Sequence, residues 1–172
     1  MTAADAIAPD LARVAPLRRR MAAIYGVEED CVLPVRGFIH AIELVLRSLP
    51  LAARNLAASA PSPSMVRITN LYGGVVRRDA DLSTRAIFKM SPAPFGMALS
   101  QGDVCMLLRE NPAALVMIDE REIETATKPS LALFATTELS LAVYREVSPI
   151  YGAPSSVCGA LVGSRALISN LI

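Results

Sequence analysis

The sequence predicts an α/β fold in which a largely parallel sheet is covered by helices on both faces. Strand-like apolar runs alternate with stretches of helical periodicity along most of the chain. The intervals between those runs are long enough to hold crossover helices, and "AALVMIDE" (113–120) is apolar almost throughout, as a strand buried on both faces would be. At 172 residues the chain reads as a single domain, 1–172, large enough to bury a substantial core.

Each element follows from a local pattern. Leu11, Val14, Leu17, Met21 and Ile24 are spaced as on one helix face, and Gly26 ends that helix. "CVLPVRG" (31–37) is a short β-type run closing on glycine. "HAIELVLRSLPLAARNLA" (40–57) carries apolar residues at Ile42, Val45, Leu46 and Leu49, an amphipathic helix interrupted near Pro50. "APSPS" (60–64) is a proline–serine loop. Residues 66–82 hold a short helix or strand, a turn at Gly73 and Gly74, and a strand at 75–77. "AIFKMS" (86–91) is a strand and "PAPFG" a turn. Ser100 then caps a helix with Asp103 three residues on, a capping-box variant. After the strand at 113–120 come a short helix, the strand "LSLAVYREVS", the strand "GALVGS" and a closing helix, "RALISNLI".

Composition excludes several classes of function. Seventeen basic against 16 acidic residues leave a net charge of +1, which gives nucleic acid or an anionic membrane no electrostatic footing. No apolar run reaches the ~20 residues of a membrane span. The basic cluster at Arg18–Arg20 follows the first apolar stretch instead of preceding it, unlike a secretory signal, so a cytoplasmic protein is expected. Cys31, Cys105 and Cys158 are odd in number and far apart, and read as buried free thiols; with one histidine, His40, and no CxxC spacing, no metal site is expected. The scattered methionines read as core filler. The hydrophobic fraction of 53% leaves apolar surface to cover, so a homo-oligomer or a hetero-complex with another protein is expected.

Two places invite chemistry. Asp119 and Glu120 end a buried strand, and the carboxyl ends of strands are where ligands dock in such sheets. In "VRGFIHAIEL", Gly37 opens a helix whose first N–H groups would suit a phosphate, although Phe38 and Ile39 are bulky for that purpose. His40 has no GxSxG elbow to serve. Near the end, "REVSPIYGAPSSVCGALVGS" (145–164) presents Ser148 and Pro149 at a strand tip.

Taken in order, these segments resemble class I/II aminotransferases, specifically the histidinol-phosphate aminotransferase branch. "IYGVEEDCVLPVRGFIHAIELVLR" is similar to that branch's helix, Tyr-Gly-Val, strand ending in Arg-Gly, and helix reading A-I-E-L. "SPAPFGMALSQGDVCMLLRENPAALVMIDE" is similar to its S-P-N-N-P-T-G turn, helix, and strand ending in Asp-Glu. "YREVSPIYGAPSSVCGALVGSRALISNL" is similar to R-T-L-S-K-A-[FY]-G-L-A-G-x-R-x-G. The resemblance implies the large domain of the pyridoxal-phosphate (PLP) enzymes of fold type I, a three-layer sandwich around a mostly parallel mixed sheet, without the C-terminal small domain. It also implies a dimer with its site at the subunit boundary. Asp119 falls on the acid that pairs with the pyridine nitrogen, Gly37 on part of the phosphate cup, and Ser148 on a phosphate-contacting hydroxyl.

The departures are as specific as the matches. The turn asparagine is missing, Glu122 replaces a tyrosine, Pro149 stands at the lysine and Val157 at the phosphate-binding arginine. The resemblance runs out near Ile172, where the family's small domain and its carboxylate-binding arginine would follow. Transamination needs an amine to hold the cofactor and shuttle the proton, and the only amine side chains are Lys89 and Lys128. The expectation is therefore a pseudoenzyme with no catalytic residues and no bound cofactor, kept as a scaffold or regulatory partner subunit. Two alternatives stay open. One is a binder of a small molecule, with Asp119 contacting a cationic group. The other is a PLP-dependent enzyme completed by a partner chain, or one using repurposed chemistry in the same cleft.

Overall fold

The computed structural model describes residues 3–93, 97–147 and 158–172, with backbone only for 3–13. Helix α1 (Ala3–Tyr25) ends at Gly26, whose φ of +67° is a conformation that favours glycine. Strand β1 (Val32–Val35) follows, then α2 (Phe38–Ser48), whose buried Ala41, Ile42, Val45 and Leu46 repeat at helical spacing. Next come β2 (Leu56–Ala58), α3 (Pro63–Leu71), β3 (Val76–Arg77) and β4 (Ala86–Met90). Helix α4 (Gln101–Glu110) starts at the expected capping box: the Asp103 amide donates to Ser100 Oγ and the Ser100 amide to Asp103 Oδ2, at 3.2 and 2.7 Å. Strand β5 (Leu115–Asp119), helix α5 (Ala132–Ala135), strands β6 (Leu141–Glu146) and β7 (Gly159–Val162), and helix α6 (Arg165–Leu171) complete the chain.

The seven strands form one mixed sheet in the order β1-β7-β6-β5-β4-β2-β3. The β3–β2, β2–β4, β4–β5 and β5–β6 pairs are parallel, whereas β7 runs antiparallel to both β6 and β1. Side chains alternate across the sheet. Met117, Ala142, Tyr144 and Leu161 join Ile42, Val45, Leu46 and Ile168 in a core on the α2, α3 and α6 side. Val116, Ile118 and Val143 join Val104, Leu131 and Ala135 on the α4 and α5 side. A smaller cluster seats α1, with Met21 and Ala22 against Val32, Ala160 and Val162. This three-layer arrangement is the expected architecture.

Three local expectations are corrected, for residues 56–58, the methionines and the thiols, and one left open is resolved. Residues 56–58 form strand β2 and not the tail of a helix: Leu56-Ala57-Ala58 has little β preference, but all three are buried and paired between β3 and β4, so tertiary pairing overrides propensity. The ambiguous stretch after 62 resolves as α3, because Ser62 Oγ accepts the Met65 amide and Pro63 takes the first helical position. Of the methionines, Met65 and Met117 are core, but Met90, Met97 and Met106 are exposed. Of the thiols, Cys31 is buried while Cys105 and Cys158 are partly exposed.

Candidate functional site: a cleft at the strand ends

Strands β2, β4, β5 and β6 run parallel, so their carboxyl ends lie along one edge, where the next segments diverge and leave a crevice. A cavity of about 720 Å³ opens there, lined by Gly37 and Phe38 of the α2 start, Met65 of α3, Phe88 of β4, Asp119 of β5 and Tyr144 of β6. Gly37 and Asp119, predicted from distant parts of the sequence, thus share one cavity. Gly37 is the N-terminal cap of α2 with φ 81° and ψ 178°, a backbone shape that favours glycine. Ser148, Pro149 and Val157 lie outside the described residues.

Asp119 is the last residue of β5, in register with Met90 on one side and Tyr144 on the other, and it is only 5% exposed. A buried carboxylate needs a compensating charge, and Arg121 supplies it. The Arg121 Nε donates to Oδ1 and Oδ2 at 3.0 and 2.9 Å, its Nη2 donates to Oδ2 at 2.6 Å, and its backbone amide donates to Oδ1 at 3.2 Å. The guanidinium carbon stands 4.5 Å from the centre of the Phe38 ring and 5.8 Å from that of Tyr144. Phe38 itself packs edge-on to Tyr144 and Phe88, at 5.3 and 6.5 Å between centres. Burial opposes the arginine's charge, but the bonds and attraction of Asp119 outweigh it, so its pKa lies above the ordinary value.

This geometry tests the cofactor seat that the resemblance implies. A pyridine nitrogen would need an Asp119 oxygen, and both oxygens are engaged by Arg121. The guanidinium also covers Phe38. The residues in place do not suit a PLP ring unless Arg121 leaves. Sequence reasoning missed Arg121, and it read Phe38 only as too bulky for a phosphate. The available signal was a cation two residues beyond a buried strand-end acid, close enough to fold back on it.

The other candidates are placed as follows. Lys89 of β4 lines the main cavity, whereas Lys128 lines a neighbouring hollow with Met90 and Glu122. His40 Nδ1 accepts the Arg36 amide at 3.0 Å, and burial followed by the nearby Arg36 charge lowers the His40 pKa, so the ring is a neutral part of the helix start. Glu120 faces away from the cleft into a buried polar network with Ser130, Leu131 and Arg145. Among the described residues no cluster of three potential ligands could hold a metal, and no helix is long and apolar enough to cross a membrane.

Glu146 lines the cavity as well, and its pKa is raised first by burial and then by Asp119 and Glu122, with Arg121 acting against them. A carboxyl whose folded pKa exceeds its unfolded value favours the fold below the ordinary glutamate range and loses that contribution as pH rises through the folded value. Glu146→Gln should therefore melt higher than the parent at neutral pH and match it in acid. A pH series of thermal midpoints checks this, and parallel curves at all pH values would contradict it.

No protein-family model matches the chain. It is 24% identical over 179 residues to histidinol-phosphate aminotransferase 2 of Idiomarina loihiensis, covering 91% of this chain and 50% of that protein. It is 28% identical over 181 residues to the histidinol-phosphate aminotransferase of Stenotrophomonas maltophilia, covering 90% and 49%. The chain thus spans about half the length of the curated relatives it matches. Among solved structures, L-threonine-O-3-phosphate decarboxylase from Porphyromonas gingivalis superposes with a TM-score of 0.75 at 18% identity, over 92% of this chain and 52% of that one. Histidinol-phosphate aminotransferase from Sinorhizobium meliloti, solved in complex with pyridoxal-5'-phosphate, superposes with a TM-score of 0.75 at 15% identity, over 90% and 48%. The seven-stranded mixed sheet is that of the fold type I large domain, and the chain is aminotransferase-like, similar in sequence to histidinol-phosphate aminotransferases along half of their length.

Proposed function

We propose that the chain is a non-catalytic aminotransferase-fold protein that acts through association with another protein or a second copy of itself. The observation that carries this reading is the engagement of Asp119 by Arg121 over the Phe38 ring. On the correspondence that the resemblance implies, the Arg121 side chain takes the place of a cofactor ring. The proline at position 149, where the resemblance expects the lysine, supports the same reading, because proline carries no side-chain primary amine to form a Schiff base. Large apolar side chains stand in solvent and would be covered on association: Leu82 is 99% exposed, Met97 82% and Leu51 77%. The cavity supports a second reading, a small-molecule binder, since 720 Å³ falls within the range of ligand pockets.

The test incubates the purified protein with PLP and an amino acid–keto acid pair. The expected result is no visible absorption band sensitive to borohydride, no label on Lys89 or Lys128, and no amino-group exchange. A reducible adduct with turnover would overturn the reading. Light scattering and native mass spectrometry test association, and a monomer that engages no partner at working concentrations would count against it.

A further inference from the structure

Arg121 is held as a bound ligand would be held. A guanidinium is a planar cation with a fork of donors. Here one edge meets both oxygens of a carboxylate and one face meets an aromatic ring, the two features that select a planar cation over an ammonium. The clamp is tertiary, with Asp119 ending β5, Phe38 opening α2 and Tyr144 in β6. The resident cation alone is local, reaching back from two positions along the chain. We propose that Asp119, Phe38 and Tyr144 form a seat for a planar cation, which the chain fills with its own Arg121 and which takes a free guanidinium or amidinium compound once that side chain is cut back.

The seat connects to solvent, because the Arg121 side chain is 33% exposed and lines the open cavity. Three other charged groups line that cavity. Glu146 adds to the attraction for a cation, and Arg36 and Lys89 oppose it. The selectivity for planar cations therefore comes from the Asp119 fork and the Phe38 face, and the general field contributes little to it. The inference deepens the reading above by naming the chemistry of the filled seat, and it rests on that reading only for where the seat lies.

Arg121→Ala should melt below the parent. Methylguanidinium or acetamidinium should raise its midpoint saturably, recovering about half of the loss or more when present well above the dissociation constant. Methylammonium at equal ionic strength should recover far less, and Asp119→Asn/Arg121→Ala should respond to none of them. Equal rescue by methylammonium, rescue that survives in the double variant, or no rescue in a folded Arg121→Ala protein would overturn the proposal. If Arg121→Ala does not fold, Arg121→Gln serves in its place, and the parent is read directly by NMR. The Arg121 Nε–H should then be slow to exchange and shifted by the Phe38 ring, whereas a fast-exchanging, unshifted signal would overturn the seat. Amino-group exchange by the parent would instead sink the non-catalytic reading and leave the seat standing.

Discussion

Replacing Glu120 by alanine is expected to lower the unfolding free energy by about 3–5 kcal/mol, the usual cost of removing one partner from a buried charge network. Glu120 is fully buried. Its Oε1 accepts the Leu131 amide at 2.8 Å, its Oε2 accepts the Ser130 hydroxyl, and Arg145 Nη1 lies 3.7 Å away. Arg145 is held more closely by Glu124, at 2.6 Å, and rests over the Tyr25 ring at 5.0 Å. Its Nε is buried without a hydrogen-bond partner among the described residues, so it has little capacity to absorb a further loss. At roughly 2–4 °C per kcal/mol for a domain of this size, the midpoint should fall by about 6–20 °C. Glu120→Gln separates the causes. Burial raises the Glu120 pKa despite its hydrogen bonds and Arg145, so the charge is costly to hold there, and glutamine keeps an acceptor for the Leu131 amide. A mild loss in the glutamine variant beside a severe one in alanine would assign the role to hydrogen bonding. Equal losses would assign it to charge, and a mild loss in alanine would refute the prediction.

Gly159→Ala is the second large effect, and it reaches the cleft from behind. A Cβ at this position in β7 would stand 2.7 Å from Cε2 and Oη and 2.9 Å from Cζ of Tyr144, a ring that is only 1% exposed. Glycine to alanine ordinarily gains about 0.4–1 kcal/mol through the unfolded chain. Overpacking a filled core costs about 1–3 kcal/mol, so a net loss is expected. The displaced ring also packs against Phe38, and Phe38 carries the Arg121 guanidinium. Chemical denaturation should show the loss of stability, and the Arg121 Nε–H signal should move with it. A variant as stable as the parent with an unchanged signal would show that the Tyr144 ring has room to move without disturbing Phe38.

Much of the architecture was legible because its signals are local. Ser100 with Asp103, Gly26 after a helical stripe, and the run 113–120 each state their structure within a few residues. Strand β2 was not legible, since Leu56-Ala57-Ala58 is a strand only by virtue of its neighbours. The cleft divided the same way. Gly37 and Asp119 could be picked out at element ends, but no periodicity signals that a ring from residue 38 and a cation from residue 121 meet over one carboxylate. It is the register of β4, β5 and β6 that buries Asp119 beside Arg121.

Among the described residues, strand β1 pairs with β7 alone, joining Val32–Val35 to Gly159–Val162. During synthesis, a ribosome adding roughly 5–20 residues per second needs roughly 6–25 s between finishing the first strand and starting the second. Through that interval the nascent β1 has no native strand partner, and the apolar face of α1 that packs on it is left incomplete. This segment is where a holdase chaperone would be expected to bind the emerging polypeptide.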